Sequence, residues 1–282
     1  MLRQRLIISL LILPPGLICM YLGGGLYFAV FVVFFAIAAY EYVQMMRVGG
    51  LRPALPLVVG GVLALSIAQT LPIFWPASEP RLWLISGGAL MALLIVATTW
   101  HLVDYERGAA PAAGADWAVT IAGLVYLGWG GGYFIYMREL PDGLWWTFIA
   151  LPAIWLADSG AYVAGKRWGK HLMTPRLSPK KTWEGLVGGL LTGALSGASF
   201  GWLGSLVVPP ESYVSALSGA VVGFVVATTG VLGDLGISML KRQAGIKDTS
   251  NLLGAHGGLL DRIDSWIIAG PVAYFVIVLF FQ

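Results

Sequence analysis

Residues 213–240, YVSALSGAVVGFVVATTGVLGDLGISML, decide what kind of protein this is. They make 28 consecutive positions with one charge, Asp234, where a membrane-spanning helix needs only about 20 apolar residues. The rest of the chain repeats the pattern. Of 282 residues, 58% are hydrophobic and 11% charged, and the mean hydropathy is +0.80. A soluble domain carries about 25% charged residues, so a soluble fold of this length could not cover its surface. Disorder is excluded by 12 Trp and 11 Tyr, and a disulfide scaffold by a single cysteine, Cys19. The expectation is an all-α integral membrane protein.

Apolar runs fall at approximately 6–22, 25–45, 54–75, 82–103, 116–136, 144–165, 185–208, 213–240 and 262–281. Gly, Pro or charged punctuation separates them, as at Gly23-Gly24-Gly25, Gly49-Gly50 and Pro209-Pro210. They predict a polytopic bundle of about nine transmembrane helices. The first run, behind Arg3 and Arg5, mimics a signal peptide. Pro14-Pro15 interrupts it and no small-residue cleavage site follows, so it reads as a retained helix. With the N-terminus in the cytoplasm, only Arg81 and Arg138 of the 17 basic residues fall outside. The positive-inside rule therefore predicts a cytoplasmic N-terminus and a C-terminus on the outer side. It also accounts for the net charge of +3 and the pI near 9.0 without nucleic acid. Residues 1–143 would hold about five helices. Residues 144–282 would form a catalytic transmembrane region with cytoplasmic loops 166–184 and 241–262, where basic residues mix with carboxylates, glycines and a histidine.

Acidic residues inside spanning segments are costly and are functional candidates by default. Asp158 and Asp234 stand out, eight and seven positions before Lys166 and Lys241. At a rise of ~1.5 Å per residue both lie roughly 10–12 Å below cytoplasmic charges, a depth that permits one cytosol-open cavity. The alternative is a structural pairing with Lys or backbone. Asp234, Ser238 and Lys241 share one helix face at i, i+4 and i+7, as do Asp158, Tyr162 and Gly165. Asp261 and Asp264 are i, i+3 neighbours at the mouth of the last span. Converging carboxylates repel unless a cation intervenes, and a few hard oxygens suit Mg²⁺ completed by phosphate. A solvated ion network with Arg262, Lys241 or Lys247 is the competing reading.

Ser178-Pro179-Lys180-Lys181-Thr182-Trp183-Glu184-Gly185 reads as a helix start, with Ser178 as N-cap and Pro179 in the first turn. Lys180 and Lys181 would then oppose the helix dipole, a conflict that an anionic ligand resolves; both also suit plain topology anchors. Glycines at 185, 189, 193, 197 and 201 make a ridge for close helix approach, answered by Ser215, Gly219, Gly223 and Ala227 in the eighth span. Packing of those two ridges would hold the Lys180–Glu184 cluster beside Asp234. His256-Gly257-Gly258 offers a backbone able to approach a ligand closely. Walker A, G-x-G-x-x-G and G-x-S-x-G patterns are absent, so phosphates would be held by metal and lysines.

The stretch Ser238-Met-Leu-Lys241-Arg242-x4-Lys247-Asp248-x-Ser250-x2-Leu253-Gly254-x-His256-Gly257-Gly258-Leu259-x-Asp261-Arg262-Ile263-Asp264 resembles the signature of the phosphatidate cytidylyltransferases. The segments beginning Asp158-Ser-Gly-Ala-Tyr162 and Ser178-Pro-Lys-Lys-Thr-Trp-Glu-Gly185 resemble the family too. The likeness is strong over about 158–264, and the first 150 residues share only the multi-helix character. Gly254-Ala255 departs from the Pro-Gly that many members carry. The resemblance implies that CTP and phosphatidate give CDP-diacylglycerol and pyrophosphate in a Mg²⁺-dependent step. It also implies a second, monovalent cation such as K⁺, a homodimer, and a bacterial inner membrane with the active site facing the cytoplasm. Carried over residue by residue, it makes Asp234, Asp261, Asp264, Lys241 and Arg262 catalytic, the three aspartates holding metal. Ser178, Lys180, Lys181, Glu184, Ser238, Arg242, Lys247, Asp248, His256, Gly257, Gly258, Asp158 and Tyr162 would bind the two substrates. An ion-coupled transporter and a CTP-dependent lipid kinase are the rival readings.

Overall fold

The computed structural model describes residues 15–75, 82–108, 112–252, 254 and 257–282. In chain order the elements are α1 (Gly24–Val48), α2 (Leu55–Phe74), α3 (Leu82–Glu106), α4 (Ala113–Gly123), a π-helical turn (Leu124–Trp129), α5 (Tyr133–Glu139), α6 (Gly143–Trp168), β1 (Leu172–Thr174), β2 (Ser178–Thr182), α7 (Trp183–Ser205), α8 (Ala216–Gln243), α9 (Leu260–Ile263) and α10 (Trp266–Phe280).

Among the described residues seven helical spans are long and apolar enough to cross a membrane: Gly24–Val48, Leu84–Glu106, Ala113–Glu139, Gly143–Trp168, Trp183–Ser205, Ala216–Gln243 and Leu260–Phe280. Each coincides with an expected apolar run. The expected span 54–75 appears as α2, whose apolar stretch Leu55–Leu71 is shorter. Of the expected span 6–22, residues 15–22 are helical and the rest lie outside the described residues. The protein is an all-α polytopic membrane protein.

The chain divides into two compact units that do not follow chain order. Residues 1–135 and Leu240–Ile263 make the first, Tyr136–Met239 and Asp264–Gln282 the second. In the first unit Tyr27, Phe31, Phe35, Tyr42, Val58, Val62, Leu65, Leu124 and Leu127 are buried. Polar groups in such a core must find internal partners. Tyr42 donates its hydroxyl proton to the Val119 carbonyl at 2.9 Å, and Gln69 Nε2 donates to the Trp129 carbonyl at 3.0 Å, at the end of the π-helical turn. The Arg52 amide reaches Asp116 Oδ1 at 2.6 Å, which fixes the turn between α1 and α2.

In the second unit the glycine ridge of α7 serves two neighbours. Gly185, Gly188 and Gly189 lie on Gly160, Ala161, Ala164 and Ala157 of α6, where an added Cβ would meet backbone or Cβ atoms. Gly193, Gly197 and Gly201 lie on Ala227, Gly223, Gly219 and Ser215 of α8, with backbone against backbone. The expected ridge-to-ridge packing of the seventh and eighth runs is therefore present. α10 closes against α6 through Trp266 and Trp155, ring centroids 5.9 Å apart.

One local expectation fails. Ser178–Thr182 is not the start of a helix but strand β2, paired antiparallel with β1 in the register Leu172↔Thr182 and Thr174↔Ser178. The helix begins at Trp183, and its N-cap is Thr182, whose Oγ1 accepts the Gly185 amide proton at 3.1 Å. The physical reason is tertiary: the Trp183 amide bonds to the His171 carbonyl at 3.0 Å, and Glu184 accepts the Lys170 and His171 amides. Together they draw the chain back into a hairpin before the helix can start. Lys180 and Lys181 therefore stand on a strand, where successive side chains point to opposite faces, and do not oppose a helix dipole.

Candidate active site

In the second unit, β2 turns Lys180 outward and Lys181 inward. Lys181 Nζ forms an ion pair with Asp234 Oδ2, both side chains about a quarter exposed. Ser238, one turn further along α8, donates its hydroxyl to Asp234 Oδ1 at 3.2 Å. The expected i, i+4 pair is present, and the ammonium on Asp234 comes from Lys181. Main chains meet beside it, since Gly233 packs against the Asp264 carbonyl with no room for a Cβ. Asp264 is buried, and its Oδ1 accepts the Ser265 amide at 2.7 Å. Glu184 is taken up by the hairpin: its Oε1 lies 2.6 Å from His171 Nδ1 and its Oε2 accepts the two amides already named. Ser178 sits in β2, half-buried. Asp158 and Tyr162 are exposed on α6, with Lys166 Nζ 5.9 Å from the Tyr162 ring centroid.

In the first unit the signature segment folds around Asp261, second residue of α9. Asp261 and Lys241 are each 8% exposed, and Lys241 Nζ lies 2.7 Å from Asp261 Oδ1. The other oxygen, Oδ2, accepts the Thr249 amide at 2.9 Å, the Gly258 amide at 3.0 Å and the Thr249 hydroxyl at 3.1 Å. A buried ion pair is expensive to desolvate and survives only when its remaining lone pairs are satisfied; these three donors meet that condition. The solvated network considered from sequence is thus replaced by a buried pair.

The glycine pair explains itself here. Gly257 has φ +76°, a backbone that favours glycine, and an added Cβ would come 2.8 Å from Asp261 Oδ2 and 3.5 Å from Asp248 Oδ1. At Gly258 a Cβ would run into the Thr249 hydroxyl and lie 2.5 Å from Glu41 Oε2. The close backbone approach expected of these glycines is made to the protein's own acids. Arg242, Lys247, Asp248 and Arg262 are exposed around the segment, and Arg242 Nη1 donates to the Ile246 carbonyl at 3.1 Å. His256 lies outside the described residues.

Glu41 of α1 was missed by the sequence reading. It is 3% exposed and accepts four donors, all from residues 249–260. The available signal was the general one, an acid inside an apolar run. Among the described residues no three His, Cys, Asp or Glu side chains are gathered closely enough to share a metal ion.

Residues 3–280 match the family model described as Cytidylyltransferase family. The chain belongs to the cytidylyltransferase family. The match extends the resemblance beyond 158–264 to almost the whole chain, including the first 150 residues. The chain is 29% identical over 303 residues to the phosphatidate cytidylyltransferase of Synechocystis sp., covering 98% of this chain and 96% of that protein. It is 35% identical over 291 residues to the enzyme of that name from Pseudomonas aeruginosa, at 96% and 95% coverage. Against that of Mycobacterium bovis it is 32% identical over 256 residues, at 86% and 77%. This cytidylyltransferase is therefore an enzyme, a nucleotidyltransferase of phospholipid biosynthesis built into a membrane.

Proposed function

We propose that the enzyme transfers the cytidylyl group of CTP to phosphatidate, giving CDP-diacylglycerol and pyrophosphate at the cytoplasmic face of a bacterial inner membrane. A phosphate oxygen of phosphatidate attacks the α-phosphorus of CTP, a new P–O bond forms, and the bond to the β-phosphate oxygen breaks to release pyrophosphate. The nucleophile is already an anion, so no strong base is needed, and none of the buried acids is required to act as one. What must be supplied is approach of two anions and stabilisation of the charge passing to pyrophosphate.

The observation that carries the reading is the Lys241–Asp261 pair, buried and held by Thr249 and Gly258 inside the segment that resembles the family signature. Around it Arg242, Lys247 and Arg262 are exposed and suited to phosphate, as is Lys180 on β2. Lys181 would bind phosphate by exchanging Asp234 for it, and Ser178, Ser238, Asp248 and the 256–258 turn would shape the substrate sites.

Magnesium fits the donor chemistry. A lysine ammonium already neutralises Asp234 and another neutralises Asp261, so both carboxylates stand where positive charge is demanded. Asp234 and Asp264 of the second unit and Asp261 of the first are the residues that would hold it. When bound, it would draw phosphate oxygens into its shell and neutralise the charge developing on pyrophosphate. A monovalent cation and a homodimer belong to the same proposal, on the family resemblance.

The test uses the purified protein with α-labelled CTP, phosphatidate and Mg²⁺. Label appearing in lipid supports the proposal. Label in CDP would make the enzyme a lipid kinase, and no turnover would overturn the reading.

A further inference from the structure

Glu41 has no task in the chemistry just described, yet it is among the most costly residues in the first unit. It lies within the membrane-spanning helix α1, is 3% exposed, and reaches residues more than 200 positions later in the chain. Such a carboxylate persists only when every oxygen is satisfied, and here each oxygen has two donors. Oε1 accepts the Ser250 hydroxyl at 2.6 Å and the Leu259 amide at 3.0 Å; Oε2 accepts the Leu260 amide at 2.8 Å and the Thr249 hydroxyl at 3.1 Å.

The Thr249 contact links Glu41 to the chemistry. The same hydroxyl lies 3.1 Å from Asp261 Oδ2. A hydroxyl has one proton to donate, so it stands between the two acids and its position depends on both. The two amides that Glu41 accepts, Leu259 and Leu260, immediately precede Asp261. Glu41 therefore fixes the residues before Asp261, the residue donating to Asp261 and, through the bare backbone of Gly258, the turn that donates a further amide.

We infer that Glu41 is a positioning residue for cytidylyl transfer: it holds segment 249–260 so that Asp261 and Lys241 keep their working geometry. It touches no substrate and acts through Thr249, Ser250 and the start of α9. It also gives Ser250, a position shared with the family signature, a task other than phosphate binding. The inference rests on the proposed transfer reaction for its kinetic consequence but not for the anchoring itself.

The test compares Glu41→Gln with Glu41→Asp in the full-length protein in lipid nanodiscs, by hydrogen–deuterium exchange and by kinetics per folded molecule. An amide in place of the carboxylate points an N–H₂ at two donors, whereas aspartate keeps the charge one methylene short. Glu41→Gln is expected to speed exchange at Leu259 and Leu260 while the rest of α1 stays protected, and to lower kcat on the order of tenfold to a hundredfold. KM for CTP should change little. Glu41→Asp should recover part of the rate. A purely structural residue would lower the yield of folded protein and leave kcat per folded molecule unchanged. That result, or unaltered exchange at 259–260, overturns the inference. If Glu41→Gln does not accumulate, Ser250→Ala removes one donor and is read by the same two measurements. Absence of cytidylyl transfer in the unmutated protein would defeat the proposed function, while the exchange measurement would still judge the anchor.

Discussion

The two lysine–aspartate pairs differ in almost everything except composition. Lys241–Asp261 is buried, and its carboxylate has three further donors and sits in a segment tied down by Glu41. Lys181–Asp234 is about a quarter exposed, joins a two-stranded hairpin to a helix, and has Ser238 as its further hydrogen-bonding partner. A pair of the first kind is prebuilt and cannot change partner without leaving a buried charge uncompensated. A pair of the second kind is screened by solvent and can trade its lysine for a phosphate or a cation at small cost. An enzyme joining two anions needs both behaviours, a fixed frame and a charge that moves when substrate arrives.

The sharpest way to break this contrast is Asp261→Asn. It removes a proposed metal carboxylate and strands a buried lysine, so cytidylyl transfer should fall on the order of a thousandfold. Stability should drop by about 3–5 kcal/mol, read by denaturant unfolding in parallel with labelled-CTP transfer. Near-normal turnover at saturating Mg²⁺ would remove Asp261 from the chemistry. Asp234→Asn is the counterpart. Its turnover should fall on the order of a hundredfold, but its stability should move by less than about 1 kcal/mol, because the pair lost is partly solvated. Equal destabilisation by the two variants would erase the distinction.

How much of this was legible in the sequence follows the range of the interactions. The spans were readable because a charge-free run of 20 residues has few other uses, and the glycine ridges because a four-residue interval is a one-turn repeat on a helix. Convergence of the Lys180–Glu184 cluster on Asp234 followed from those ridges, and Lys181 realises it. The hairpin Leu172–Thr182 was not readable. Ser178-Pro179 carries a good local helix-start signal, and the bonds that overrule it come from Lys170 and His171. Glu41 was hidden for the same reason at greater distance: six residues before Arg47 it looks like a charge at the end of a span, and its four donors lie at the far end of the chain.

A smaller effect tests whether the first unit is as rigid as its bonding implies. Gly258→Ala adds one methyl group where the Thr249 hydroxyl and Glu41 already stand. Overpacking of this kind costs about 1–3 kcal/mol, so thermal unfolding should shift downward and transfer should weaken with it. A variant as stable and as active as the parent would show that the segment yields easily, and the prebuilt half of the comparison would then fail.

The smallest effect is reserved for the exposed cations. Lys180→Ala removes a charge from the outward face of β2, where β pairing through backbone is untouched and no buried partner is left behind. Stability should not change measurably. An exposed lysine meeting a phosphate contributes on the order of 0.2–1 kcal/mol, so KM for CTP should rise about two- to fivefold with kcat nearly constant. Salt should shrink the difference, since screening weakens what the lysine supplied. The paired substitution Lys181→Ala sharpens the reading. Lys181 neutralises Asp234 before substrate arrives, so its removal should alter the Mg²⁺ dependence as well as KM, whereas Lys180→Ala should leave the Mg²⁺ dependence alone. If both variants behave alike, the strand's two faces do the same work, and the inward turn of Lys181 toward Asp234 has no functional meaning.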